Sequence, residues 1–310
     1  MNPSRQVTEG VVPFRGYRTW YRVVGQGEDP GRYPLLVLHG GPGASHDYLE
    51  PVAELADQGR RVIFYDQLGG GKSDHPHDPG MWTIDLFLAE LNALRRVLRL
   101  QDVHLLGHSW GGMLALEHAL AGAPGIVSLV VANVAADMPA WQAEVQRLRR
   151  ALPPRTYAAL LKHEAAGSTT DLEYLAATLA FYRRHVCRCD PWPRSLNQTF
   201  AYVARYPAVY QTLYGINDLH VTGRLRDWSV LGRLQRLRLR SLVLSGRHDE
   251  ATPAVVEQLH RELVGSQWVI FEDSSHTPHL EETAAFLQVV GDFLLAGEAP
   301  AQAGALHSPT

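Results

Sequence analysis

Apolar residues along this chain gather in short unbroken runs, each closed by Gly, Pro or Asp. The runs occupy 35–38, 62–65, 103–106, 127–131, 242–244 and 269–271 and are rich in β-branched side chains. Runs this short and continuous predict strands buried on both faces, as in a parallel sheet. The segment 19–24 alternates more and predicts an outer antiparallel strand. Between the runs the period changes. Within 83–98, Ile84, Phe87, Leu88, Leu91, Leu94 and Leu98 share one stripe of a helix, with Thr83 placed to cap it. Thr252-Pro253 opens another helix with proline in its first position, and 282–295 makes a third. Strands alternating with helices predict an α/β fold with a mostly parallel, doubly wound sheet.

From about 135 to 228 this rhythm stops. Helical patterns with many aromatics take over, among them Trp141, Tyr174, Phe181, Tyr182 and Tyr210. The expected organisation is a first core part over 1–134, a helical cap over 135–228 and a second core part over 229–296. An Ala-, Pro- and Gly-rich tail over 297–310 is expected to be disordered. A helical insertion between two halves of a parallel sheet roofs its C-terminal edge, where open α/β sheets bind ligands.

Composition narrows the functional classes. At 310 residues and 45% hydrophobic content, the chain can bury one large domain carrying an insertion. A formal net charge of -3 gives no electrostatic case for a nucleic-acid or anionic-membrane partner. No apolar run nears the ~20 residues of a membrane span, and no apolar leader is visible. Cys187 and Cys189 are too few for a disulfide framework or a four-ligand zinc site, so free thiols in a reducing cytoplasm are expected. Histidines are numerous, but no H-E-x-x-H occurs; His75/His77 and His276/His279 lie in polar loops, where solvated histidines are commoner than metal ligands. Neither metal nor cofactor is expected. Gly69-Gly70-Gly71-Lys72-Ser73 imitates a phosphate loop, yet Asp66 stands where the pattern needs its first glycine. The Arg-Leu alternations at 147–150 and 233–240 read as solvated faces.

Four motifs carry chemistry. Gly107-His108-Ser109-Trp110-Gly111 follows the run 103–106 and precedes a helical stretch. Such a G-x-S-x-G thrusts a serine hydroxyl out at the top of a sheet. His39-Gly40-Gly41-Pro42-Gly43 follows the run 35–38, where the amide of Gly41 and that of Trp110 would form an oxyanion hole. Gly246-Arg247-His248-Asp249-Glu250 and Ser274-Ser275-His276 each follow a late strand. The order Ser109, Asp249, His276 is that of an α/β-hydrolase triad of nucleophile, orienting acid and base.

These motifs, with Asp66–Ser73, Phe181-Tyr182-Arg183-Arg184-His185 and the segment 213–227, resemble the proline iminopeptidases, serine aminopeptidases of the α/β-hydrolase superfamily. The resemblance spans nearly the whole chain. It implies release of an N-terminal residue, preferably proline, from short peptides or amino-acid amides with a free N-terminus, through an acyl-enzyme. It also implies acidic residues that bind the substrate amine. One follows the triad aspartate and is here Glu250. The other lies in a cap segment usually read Gly-Pro-Asn-Glu, here Gly215-Ile216-Asn217-Asp218, with isoleucine for proline and a carboxylate one methylene shorter. Two other readings use the same residues: an amino-acid amidase or carboxylesterase on the same scaffold, and a catalytically silent hydrolase-fold binding protein. Epoxide hydrolases and haloalkane dehalogenases would need aspartate in place of Ser109.

Overall fold

The structure is a computed structural model that describes residues 5–298. The first core part holds β1 (Val7–Phe14), β2 (Tyr17–Val24), β3 (Leu35–Leu38), β4 (Val62–Tyr65), α1 (Ile84–Val97), β5 (Val103–His108), α2 (Trp110–Leu120) and β6 (Ile126–Ala132). The inserted segment follows with α3 (Met138–Arg150), α4 (Pro154–Ala166), α5 (Leu172–His185), α6 (Arg194–Arg205), α7 (Ala208–Leu213), β7 (Gly215–Asn217) and β8 (His220–Val221). The chain returns through β9 (Arg240–Gly246), α8 (Pro253–Glu262), β10 (Gln267–Phe271), α9 (Pro278–Glu281) and α10 (Thr283–Ala296).

The main sheet runs β1-β2-β4-β3-β5-β6-β9-β10. The pairs β1/β2 and β2/β4 are antiparallel, and every later pair is parallel. Within the apolar runs, odd and even positions go to opposite faces. Leu36, Leu38, Ile63, Leu105, Val131 and Val243 pack with α1, α2 and α8. Leu35, Val37, Phe64, Leu106, Leu242 and Leu244 pack with α10 and a 3₁₀ segment, Asp47–Gln58. Each such side chain contributes roughly 1.5–3 kcal/mol by leaving water, and this two-sided core holds the strand ends in fixed register.

Three expectations change. The strand around 19–24 is not the outermost, because β1 lies outside it. Glu9, Gly10 and Pro13 interrupt the pattern of β1, which pairs along its whole length with β2, buries Val12 and Phe14 in the core and leaves most of its other side chains exposed. The insertion is not wholly helical, since β7 and β8 form a small hairpin within it. Its two ends are tied together: Met138 N–H donates to Trp228 O at 2.9 Å and Val230 N–H to Ala136 O at 2.9 Å. Of the expected tail, 299–310 lie outside the described residues. Gly297 caps α10, and the Glu298 carboxylate accepts from both Arg60 terminal nitrogens at 2.8 and 2.9 Å and from Arg32 at 3.0 Å. Among the described residues, no helix is long and apolar enough to cross a membrane.

Candidate active site

The triad residues each stand just past the C-terminal end of a strand. Ser109 follows β5 with φ 55° and ψ -128°, outside the regions ordinary residues occupy. The bend is held by backbone bonds on both sides. Ser109 N–H donates to Ala132 O at 2.9 Å, and Ser109 O accepts from Gly112 N–H at 2.8 Å. The hydroxyl itself has no hydrogen-bond partner among the described residues and lines a cavity of about 520 Å³.

Asp249 and His276 approach the same point from β9 and β10. His276 Nδ1–H donates to Asp249 Oδ1 at 2.7 Å, which leaves Nε2 as the ring's acceptor. Asp249 Oδ1 also accepts Ala251 N–H at 2.8 Å, and its Oδ2 accepts Asn133 Nδ2–H at 2.6 Å. Burial works against a charged ring. The charge and hydrogen bond of Asp249 outweigh it and hold His276 above its ordinary value. His276 lines the cavity together with Ser109.

The oxyanion candidates also arrive at this point. Gly41 lines the cavity with φ 110°, and a side chain there would run into Ala44 N at 2.7 Å, so only glycine fits. Trp110 N–H is the first of α2 and so has no intrahelical acceptor. Gln67, two residues past β4, joins the two loops. Its Oε1 accepts the Trp110 indole N–H at 2.8 Å, and its Nε2 donates to His39 O at 2.9 Å. A second tie runs through Tyr48. Gly40 N–H donates to Tyr48 Oη at 2.8 Å, Tyr48 donates to His108 Nδ1 at 2.7 Å, and His108 Nε2–H donates to His276 O at 2.6 Å. Burial keeps His108 well below its ordinary value and therefore neutral, as this chain of bonds requires.

The two acids come together in the same chamber. Asp218 sits at the tip of the β7–β8 hairpin, which Gly215 starts at φ 109° where a side chain would strike Thr222. Asn217 fixes the tip by accepting Leu219 N–H at 3.0 Å and donating to Tyr174 Oη at 2.8 Å. Asp218 Oδ1 accepts from Tyr210 Oη at 2.7 Å. Glu250 is buried, and its Oε2 has no partner among the described residues. Burial, then the charges of Asp218 and Asp249, push the Glu250 carboxyl well above its usual range. Burial raises Asp218 too, against the pull of the Tyr210 bond. None of the described residues lining the chamber is Lys or Arg.

Sequence reading placed Ser109, Asp249, His276, Gly41, Trp110, Glu250 and Asp218 as candidates, and the fold gathers all seven. It missed Asn133, Gln67, Tyr48 and the tie made by His108. Position could have flagged two of these, since Asn133 and Gln67 are polar residues directly after strand-like runs. His279 is no solvated loop residue: it is fully buried in α9 against Tyr48 and His108. Arg149 is not solvated either, but buried and paired with Glu164 at 2.6 Å. The one group among the described residues with three potential metal ligands, buried His163 with exposed Asp171 and Glu173, lies in the insertion, where Lys162 already pairs with Glu173 at 2.6 Å.

Known proteins agree with this picture. Residues 33–283 match the alpha/beta hydrolase fold family. The proline iminopeptidase of Lactobacillus helveticus (strain DPC 4571) is 36% identical over 293 residues, covering 93% of this chain and 98% of its own. The crystal structure of VinJ superposes with a TM-score of 0.90 at 46% identity, over 93% of this chain and 98% of VinJ. The proline iminopeptidase of Mycobacterium smegmatis gives 0.88 at 41% identity, over 94% of this chain and 98% of that one.

Proposed function

Because this chain belongs to the proline iminopeptidase family of α/β hydrolases, we propose that it releases an N-terminal residue, preferably proline, from short peptides through an acyl-enzyme on Ser109. It is a hydrolase. In this reading His276 Nε2 takes the Ser109 proton as the hydroxyl attacks the first residue's carbonyl. Asp249 fixes the ring and offsets the imidazolium charge, and the amides of Gly41 and Trp110 receive the oxyanion. His276 then returns the proton to the leaving amine, and water repeats the sequence to free the acyl group.

The observation that carries the aminopeptidase reading is the pair of carboxylates, Glu250 and Asp218, facing one chamber beside Ser109 with no Lys or Arg among its described lining residues. Two acids that repel each other in a desolvated site are relieved by one cation, and the substrate's protonated N-terminus is that cation. Pairing there marks the first residue of a chain, which is what an exopeptidase must recognise. A smaller cavity of about 20 Å³, lined among others by Met113, Asn133, Val134, Trp141 and Glu250, adjoins Ser109 and has room for one small group rather than a whole ring. Residues 135–228 form the lid over it. Free Cys187 and Cys189 suit a reducing cytoplasm, where we place the protein.

The test compares prolyl, alanyl and leucyl chromogenic amides, free and N-blocked, with a neutral acetate ester. A charge-assisted bond is worth about 1.5–3 kcal/mol, so Glu250→Gln should cost roughly 10- to 150-fold in kcat/KM on free-amine substrates and little on the ester. Equal hydrolysis of free and N-blocked amides by wild type would replace this reading with an esterase or amidase.

A further inference from the structure

Asn133 is the first residue past β6, held in the left-handed region at φ 60°, which asparagine tolerates better than most side chains. Its backbone N–H is fixed on Leu244 O at 2.8 Å, and its side chain is buried. The amide nitrogen donates to Asp249 Oδ2 at 2.6 Å and to Ser275 O at 3.3 Å. A carboxylate only accepts, so this orientation of the amide is dictated by Asp249. The other end, Oδ1, is buried and has no donor among the described residues.

Asn133 lines the small cavity beside Ser109, and Glu250 lines it too, its Oε2 equally without a donor. Buried acceptors are almost always satisfied, so two orphans on one small cavity next to the nucleophile point to a ligand that brings the donors. A cavity of about 20 Å³ admits one small group, which must offer at least two N–H or O–H bonds, and beside a carboxylate a cation is favoured over a neutral donor. The secondary ammonium of an N-terminal proline has two such bonds. A primary ammonium has three, and its third would turn to Asp218, one of whose oxygens Tyr210 already occupies.

We propose that Asn133 is a specificity residue that accepts one N–H of the substrate's terminal ammonium through Oδ1 while Glu250 accepts the other. This rests on the aminopeptidase reading of the same site. Asn133 also positions Asp249, so a change there slows every substrate, and only a ratio isolates its contact with the amine.

The experiment uses the full-length protein and two anilides of matched shape, prolyl 4-nitroanilide and cyclopentanecarbonyl 4-nitroanilide, which has the same ring size, the same scissile amide and no ring N–H. The quantity read is the ratio of their kcat/KM values. Asn133→Gly, which keeps the left-handed backbone and removes the side chain, should lower both rates and cut the ratio about tenfold, the usual worth of one hydrogen bond to a charged group. Asn133→Asp keeps the Oδ1 acceptor and loses the donor to Asp249, so both rates should fall while the ratio holds or rises. It also keeps the proposal falsifiable should the glycine variant fail to fold, with labelling of Ser109 by a phosphonate as the check on folding. A ratio unchanged in Asn133→Gly, or cut equally in Asn133→Asp, would overturn the role and leave Asn133 a support for Asp249 alone. A wild-type ratio near one would instead overturn the aminopeptidase reading itself.

Discussion

His276 titrates in the field of several carboxylates. Burial alone would lower it, but Asp249 first, then Asp218 and Glu281, raise it. As the proposed base it must be neutral to act, so activity is lost when pH falls through a value lifted above the ordinary 6.5. Asp218→Asn removes one of these charges and should move the acid limb of kcat/KM downward. Measured on a neutral ester, the limb reports the enzyme with no substrate amine titrating beside it. An unmoved or raised limb would mean that Asp218 does not act on His276. The three proposed catalytic residues were legible in the sequence because each is a reactive side chain after a recognisable strand in the order this fold uses. Asn133 was not legible, because its meaning comes from Asp249, 116 residues away in the chain. The reading of His279 failed for a related reason. One turn of α9 decides which side of it faces Tyr48 and His108, and no local signal separates a buried histidine from a solvated one.

At the scale of elements, the sequence was most legible where burial is two-sided. All six apolar runs became parallel strands, and Thr83 caps α1 by accepting Leu86 N–H at 3.2 Å, as its position implied. Legibility failed where cross-strand pairing, more than an apolar pattern, defines an element. β1 and the β7–β8 hairpin have no sustained alternation, so pairing rather than pattern makes them strands. Inside α1 the apolar stripe contains one exception, Glu90, which is buried because Leu68 N–H at 2.9 Å and Thr19 Oγ1–H at 2.5 Å require an acceptor there. Burial pushes its carboxyl up to about 8, from 4.5. A folded-state value above the unfolded one means that the stabilisation is complete below 4.5 and drains away as pH rises through about 8. Glu90→Gln keeps an acceptor and cannot ionise. Its melting temperature should match wild type near pH 5 and exceed it by about a few degrees at pH 9. A variant less stable than wild type at pH 9 would show that Leu68 and Thr19 need the charged group.

At the scale of the whole molecule, the insertion and the sheet edge close one chamber between them, and access to it depends on whether the insertion moves. The neck cannot fray easily. Met138 and Val230 bond to Trp228 and Ala136, and Glu117 holds both the Trp228 indole at 2.9 Å and Arg233 at 2.7 Å. The turn between α4 and α5 is the softer place. Thr169 and Thr170 line the chamber, and Leu172 just beyond them is 82% exposed. Exposed turns near a binding site open at low free-energy cost, and a ligand that needs them closed suppresses that opening by mass action. Chymotrypsin should therefore cut first after Leu172 rather than at the neck near 135–138 or 228–230. Free proline, the proposed product, should slow that cut in proportion to the sites it fills, up to about 100-fold at 100 times its Kd. Cyclopentanecarboxylate, with the ring and carboxylate but no ammonium to pair with Glu250 and Asp218, should protect far less. First cutting at the neck would mean that the hydrogen-bonded hinge is the labile part. Equal protection by the two ring acids would mean that closure does not read the amine, and the insertion would then be a fixed roof rather than a lid.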